Sequence, residues 1–238
     1  MNLLISICAR GGSKGIPGKN VKHLNDIPLI AYTIRTAQVF AEKHNADIGL
    51  STDSNEILEV ASKYGVNTKY KRPAELATDS AGKIDVISDL IRFQEGAMNK
   101  IYDIILDLDI TSPLRTQEDL QNALDELIVN REAQNIFSVN PAARNPYFNM
   151  VEESKGGYVQ LVKDCANIKS RQAAPKVYDM NASFYFYRRR FFTQAYETVI
   201  TDKSMAFVMN HICFDLDEPQ DFLIMEYLLK RNKLDFEL

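Results

Sequence analysis

Apolar positions along the first 140 residues follow two alternating rhythms, short unbroken runs and longer amphipathic stretches. Leu3–Ala9 (LLISICA) is apolar at nearly every position, as a strand buried on both faces requires. From Pro28 to Glu42 the spacing turns helical, with Leu29, Ile30, Thr33, Ile34 and Ala37 on one face. Asp47–Ser51 predicts the next strand, and a helix starts near Ser54 with Asp53 and Glu56 as its capping box. Further strands are predicted over Val66–Lys71, Tyr102–Leu108 and Asn135–Asn140, and helices over Lys83–Gly96 and Thr116–Asn130. Strand and helix in alternation predict the α/β class: a Rossmann-like, mostly parallel sheet flanked by helices.

After Asn140 the rhythm changes. Pro-, Gly- and aromatic-rich stretches such as RNPYFNMV, ESKGGYVQLV and NASFYFY replace helical spacing, and Glu152–Gly157 reads as a hairpin loop. A β-rich insertion over 141–188 is predicted, an excursion of the kind that makes dimer contacts. A strand at His211–Leu216 and a helix from Pro219 to about Asn232 return to the earlier pattern. The chain therefore reads as one domain, 1–238, carrying one insertion.

Composition narrows the field of functions. A net charge of −4, from 28 basic and 32 acidic residues, argues against a nucleic-acid partner, so any polyanion must be held by a local basic cluster. The cysteines, Cys8, Cys165 and Cys213, form no CxxC pair, which disfavours a disulfide framework or zinc site and points to a reducing, cytoplasmic setting. MNLLISICARGG lacks the basic start of a signal peptide, and no run approaches the ~20 apolar residues of a membrane span.

The first strand runs straight into ARGGSKGIPGKN, where Gly11, Gly12, Gly15 and Gly18 alternate with Arg10, Lys14 and Lys19. Glycines let amides turn toward an anion, and the end of a first strand is where α/β folds bind ligands. The loop is neither a Walker A motif nor GxGxxG. A flexible solvated loop is the plain alternative; the position after a buried strand favours a phosphate cradle.

ARGGSKGIPGKN closely resembles the nucleotide-binding signature of the nonulosonic (acylneuraminate) cytidylyltransferases. STDSNEILEVASKYGV, KRPAELATDSAGKIDVI, TSPLRT, RQAAPKVYDMNASFYFY and FDLDEPQDF recur in the family's order, so the resemblance spans the whole chain. DLDITSPLR, RNPYFN and YDMNAS look most like the CMP-legionaminate branch. The resemblance implies transfer of CMP from CTP to a nonulosonic acid with release of pyrophosphate, in a homodimer and with Mg²⁺ or Mn²⁺. It also implies that Arg10, Gly11, Gly12, Ser13, Lys19, Asn20, Arg72, Lys83 and Asn181 meet CTP. On the same basis Arg10, Lys19, Asp215 and Asp217 would be catalytic, Asp109, Arg171 and Tyr185 would meet the sugar acid, and Asp215 and Asp217 would hold the metal.

Each assignment has a rival. Asp215 and Asp217 alternate on a predicted strand, roughly 6–7 Å apart, a spacing from which two carboxylates can share a cation. Asp217 with Gln220 would equally serve as a helix cap. Asp107 and Asp109 form a second D-x-D, which in a nucleotide-sugar glycosyltransferase would chelate the metal. Asp109 stands where the family carries a sugar-contacting glutamine, and Lys83 where sialic acid synthetases commonly carry serine. Arg171 offers a planar fork suited to a carboxylate. Tyr185 fits a sheet core as well as a substrate contact. Sialic acid, pseudaminate, KDN and KDO remain alternative acceptors, and a non-catalytic nucleotide-binding protein is a further reading. His23, His44 and His211 show no ligand spacing, Arg188–Arg190 read as a solvated helix start, and Cys8 as an inert buried thiol.

Overall fold

A computed structural model describes residues 1–12, 15–164, 170–194 and 196–238. Ser13, Lys14, Cys165 and the side chain of Arg171 lie outside the described residues. In chain order the elements are β1 (Leu3–Cys8), the two-residue strands β2 (His23–Leu24) and β3 (Ile27–Pro28), α1 (Leu29–His44), β4 (Asp47–Ser51), α2 (Asn55–Lys63) and α3 (Lys83–Met98). There follow β5 (Ile104–Leu108), α4 (Gln117–Val129), β6 (Asn135–Pro141), β7 (Val151–Glu153), β8 (Val159–Leu161), β9 (Tyr178–Arg188), β10 (Ser204–Val208) and α5 (Pro219–Lys230). No helix among them is long and apolar enough to cross a membrane.

Six strands form the central sheet in the order β10-β6-β9-β5-β1-β4. β1 lies parallel between β4 and β5, β10 is parallel to β6, and β9 runs antiparallel between β5 and β6. Helices cover both faces, so β1 and β5 are buried throughout except at Cys8, as their near-continuous apolar runs require. Thr116 opens α4 with a reciprocal capping box to Asp119, at 3.0 Å and 2.7 Å. The carboxyl ends of β1, β4 and β5 share one sheet edge, and the amino-terminal half of β9 arrives there from the opposite direction. Parallel sheets bind ligands at such an edge.

Several expectations need correction. Val66–Lys71 is not a strand: Val66, Tyr70 and Arg72 are buried by packing, with Tyr70 reaching Asp89 of α3, but the run has no ladder partner among the described residues. The late strand is β10, not His211–Leu216; β10 is an edge strand with one buried residue, too weak a pattern to read. α2 is capped by Ser54, whose hydroxyl accepts from Ile57 at 3.4 Å, while Asp53 points elsewhere. α5 is closed by Asp221, whose Oδ2 accepts from the amides of Asp217 (2.9 Å) and Glu218 (2.7 Å), so Asp217 and Gln220 form no capping box. Residues 141–188 are not all excursion, because β9 is a central strand; the projecting part holds the β7–β8 hairpin. Arg188–Arg190 do lead into a short helical turn, Arg189–Thr193, and Arg190 is exposed, but its neighbours are anchored rather than solvated: Arg188 donates to the Leu127 carbonyl at the end of α4 (2.6 Å), and Arg189 pairs with Glu95 (2.8 Å).

Candidate active site

A cleft of about 500 Å³ opens at the carboxyl ends of β1 and β5, lined by Cys8, Arg10, Gly15, Lys19, Asn20, Asp109–Thr111, Asp217 and Glu218. The glycine loop makes one wall. Asn20 is buried and donates to the Arg10 carbonyl (2.9 Å), pinning the two ends of the loop together. Gly11 donates its amide to Asp53 Oδ1 (2.8 Å), so that amide is engaged by α2's approach segment. A side chain at Gly15 would place its Cβ 2.7 Å from the carbonyl oxygen of Asp217, so the loop closes on the acidic segment only because position 15 has none. Lys19 Nζ then reaches Asp217 Oδ1 at 2.9 Å, and Arg10 pairs with Asp79.

The opposite wall is the loop after β5. Thr111 places its hydroxyl between Asp109 Oδ1 (2.8 Å) and Asp215 Oδ1 (2.6 Å), and its carbonyl accepts from Leu216 (2.9 Å). Residues 210–217 belong to no helix or strand and are held by these contacts rather than by a sheet. Burial pushes the Asp215 carboxyl above its ordinary range, and the charges of Asp109 and Asp217 push the same way.

Behind this wall Lys83 Nζ lies 2.9 Å from carboxylate oxygens of both Asp107 and Asp109, and 4.8 Å from the Tyr185 ring centroid. Burial alone would pull the ammonium down, but the two carboxylates outweigh it and hold Lys83 firmly charged. Burial likewise opposes Asp109, yet Lys83 and Thr111 bring its carboxyl down to about 2. Asp107 is fully buried, with Ser6 donating to Oδ1 at 2.7 Å, so the D-x-D already holds the Lys83 ammonium between its carboxylates rather than standing as an open chelate. That geometry removes the support for the glycosyltransferase reading.

The expected site residues divide. Arg10, Lys19, Asn20, Asp109 and Asp217 line one cleft, and Asp215 joins them through Thr111. Arg72 is buried and tied to Ser51 Oγ (2.9 Å) and its carbonyl (2.8 Å) at the end of β4. Asn181 is buried in a polar knot, accepting from Ser138 (2.5 Å) and donating to Asn140 (2.7 Å). Tyr185 packs in the core beside Tyr187. Cys8 is only half-buried, on the cleft wall, and burial with the nearby Asp107 keeps its thiol protonated. Thr111, Asp53 and Asp79 are site residues that the sequence reading misses; all three stand in quoted motifs, TSPLRT, STDSNEILEVASKYGV and KRPAELATDSAGKIDVI, but none of these shows which distant group each would meet.

The acidic groups suit a magnesium ion. Asp215 and Asp217 supply hard oxygen donors, and their mutual repulsion is charge that a cation would relieve. Among the described residues no group of three or more acidic, His or Cys side chains could hold a metal unaided. Mg²⁺ held by one or two carboxylates and completed by phosphate needs no such group.

A basic glycine loop facing carboxylates across the end of a parallel sheet is the arrangement of a nucleotidyltransferase. The chain belongs to the cytidylyltransferase family, CTP-dependent nucleotidyltransferases, which it matches over residues 4–233. It is 40% identical to post-translational flagellin modification protein B of Campylobacter coli, over 98% of this chain and 97% of that one. It is 39% identical to CMP-N,N'-diacetyllegionaminic acid synthase of Campylobacter jejuni, over 98% and 97%. The fold matches that of CMP:2-keto-3-deoxy-manno-octonic acid synthetase complexed with CTP, with a TM-score of 0.70 at 14% identity, covering 98% of this chain and 100% of that one.

Proposed function

We propose that this protein transfers CMP from CTP to the anomeric hydroxyl of a nonulosonic acid of the legionaminic type, releasing pyrophosphate. The observation that carries the reading is the closure of the glycine loop on the acidic segment, with Lys19 against Asp217 in one cleft. Its similarity to a legionaminate synthase over nearly the full length of both chains supports the choice of acceptor.

In such a transfer the acceptor hydroxyl attacks the α-phosphorus in line, and charge grows on the departing pyrophosphate and the equatorial oxygens. Positioning and stabilisation of that charge are the chief demands. Arg10, Lys19 and the amides about Gly12 would meet the phosphates, with Asn20 holding the loop in shape. Lys19, already beside Asp217, would be drawn to the leaving group as its charge develops. Asp109 and Thr111 form the wall on which the sugar acid would be oriented. Asp215 and Asp217 would hold Mg²⁺ (or Mn²⁺), which when bound neutralises phosphoryl charge.

The reading includes a cytoplasmic site of action, where CTP is held, and a homodimer. Every residue of β7 and β8 is exposed, and a two-stranded ribbon without a covered face is marginal in water, which supports burial of the excursion against a second copy.

The test is pyrophosphate release from CTP and Mg²⁺ across sialic, legionaminic, pseudaminic, KDN and KDO acids. Release that requires both CTP and a legionaminic acid is expected. No release with any acid, from folded protein that binds CTP, would overturn the reading.

A further inference from the structure

The TSPLRT run contains a cation that the phosphate chemistry leaves unused. Arg115 is 2% exposed. Its guanidinium donates to the carbonyls of Asp109 and Ser183 and to Thr33 Oγ1 (3.0 Å), and Thr33 in turn donates to the same Asp109 carbonyl (3.1 Å). These acceptors belong to α1, β9 and the loop after β5, so one side chain ties three elements together at the sheet edge. All are neutral, and Nε has no hydrogen-bond partner among the described residues. Burial draws the guanidinium down to about 10, against the pull of Asp109, Cys213 and Asp107.

A buried cation with neutral acceptors and an orphaned N–H carries a desolvation cost that an apolar side chain would not. Stability therefore does not account for Arg115; the groups it holds do. The Asp109 carbonyl leads directly into Ile110 and Thr111 on the cleft wall. Ser183 follows Ala182, whose φ of +57° interrupts β9, a conformation that a non-glycine residue keeps only where its surroundings impose it. Ser112 completes the clasp, donating to the Asn181 carbonyl (2.6 Å) while its own carbonyl accepts from Ser183 Oγ (2.8 Å).

We propose that Arg115 is a positioning residue: it locks the backbone at Asp109 to the kink in β9 and thereby fixes the wall that orients the acceptor acid. The inference rests on the cytidylyl-transfer reading for its kinetic consequence only. Among the described residues the glycine loop, which would hold the triphosphate, receives no bond from Arg115, so its effects should fall on turnover more than on CTP.

The experiment compares full-length wild type, Arg115→Met and Arg115→Lys by thermal unfolding, steady-state kinetics and amide hydrogen exchange. Arg115→Met should melt near wild type, lose turnover by about 10–100-fold, and shift the KM for CTP by less than about threefold. Exchange should accelerate over residues 109–115 and 181–184 and stay unchanged in the glycine loop. Arg115→Lys, which keeps the charge without the fork, should recover part of both effects. Arg115→Met with turnover within about twofold of wild type, exchange unchanged in both segments, or failure of both variants to fold would overturn the proposal. If the wild type itself releases no pyrophosphate, the transfer reading falls, and the exchange pattern still decides the role of Arg115.

Discussion

Gly15 offers the cleanest test of how the cleft is closed. Replacing it by Ala introduces a Cβ 2.7 Å from the Asp217 carbonyl oxygen, about 0.7 Å inside the 3.4 Å at which ordinary contact begins. The neighbour is backbone, so no flexible side chain can swing away. The φ of Gly15 lies outside the left-handed region, which leaves sterics as the sole penalty. Either the glycine loop or the acidic segment must retreat by most of that 0.7 Å, pulling Lys19 from Asp217. A misplacement near 1 Å can cost about 100-fold in rate, so Gly15→Ala should lower kcat by about 10–100-fold. Overpacking costs about 1–3 kcal/mol in a core, and an exposed loop should sit at or below the lower figure. The assay is pyrophosphate release at saturating CTP and acceptor, beside a thermal melt. Turnover within twofold of wild type would refute the reading that this contact sets the cleft.

Asp217 and Asp221 should separate chemistry from capping. Asp217→Asn should cost turnover at least about tenfold and stability less than about 1 kcal/mol, since its carboxylate is 70% exposed; Asp221→Ala should cost about 1 kcal/mol of stability by opening α5. Urea unfolding of both variants beside their rates checks this, and a large stability loss in Asp217→Asn would contradict it. The His211–Asp119 contact (2.8 Å) should give stability a pH window. Burial pulls the His211 imidazole down, but its bonds to Asp119 and the Ile212 carbonyl raise it overall; burial raises Asp119, yet His211 and Thr116 lower it overall. The contribution is then full between about pH 3.9 and 6.5, fades upward as His211 loses its proton, and fades downward as Asp119 gains one. Melting temperatures of wild type and His211→Gln across pH 3–9 should converge at the alkaline end, and parallel curves would rule out the linkage.

Strands buried on both faces are legible: β1 and β5 are apolar but for Ser6 and Asp107, which satisfy each other by a hydrogen bond, and a sheet covered by helices on both faces accommodates them. β9 was hidden by its neighbours. Its aromatic alternation follows a Pro- and Gly-rich stretch, so it read as part of the excursion, although it pairs with strands on both sides. The caps failed for a local reason. Asp53 and Ser54 are adjacent and both suit an N-cap; Ser54 takes the role because Asp53 is bound to the Gly11 amide across the fold. Tertiary demand decided between two locally equal choices.

The same demand explains which parts of the site could be read. Glycine, lysine and carboxylate identities point to phosphate chemistry one residue at a time, so Lys19, Asp109 and Asp217 stand out. Their pairings do not, because Lys19 meets Asp217 across 198 positions and Arg10 meets Asp79 across 69. Among the described residues, three cations at or behind the cleft are each balanced by a carboxylate from a distant segment: Asp79 for Arg10, Asp217 for Lys19, Asp107 and Asp109 for Lys83. This interleaving lets a chain with a net charge of −4 prepare a polyanion site without a basic surface. A triphosphate entering the cleft must compete with Asp79 and Asp217 for their cations, and these exposed carboxylates yield at little cost. The Lys83 cluster, anchored on the fully buried Asp107 and holding two carboxylates at once, does not yield, and so remains part of the wall.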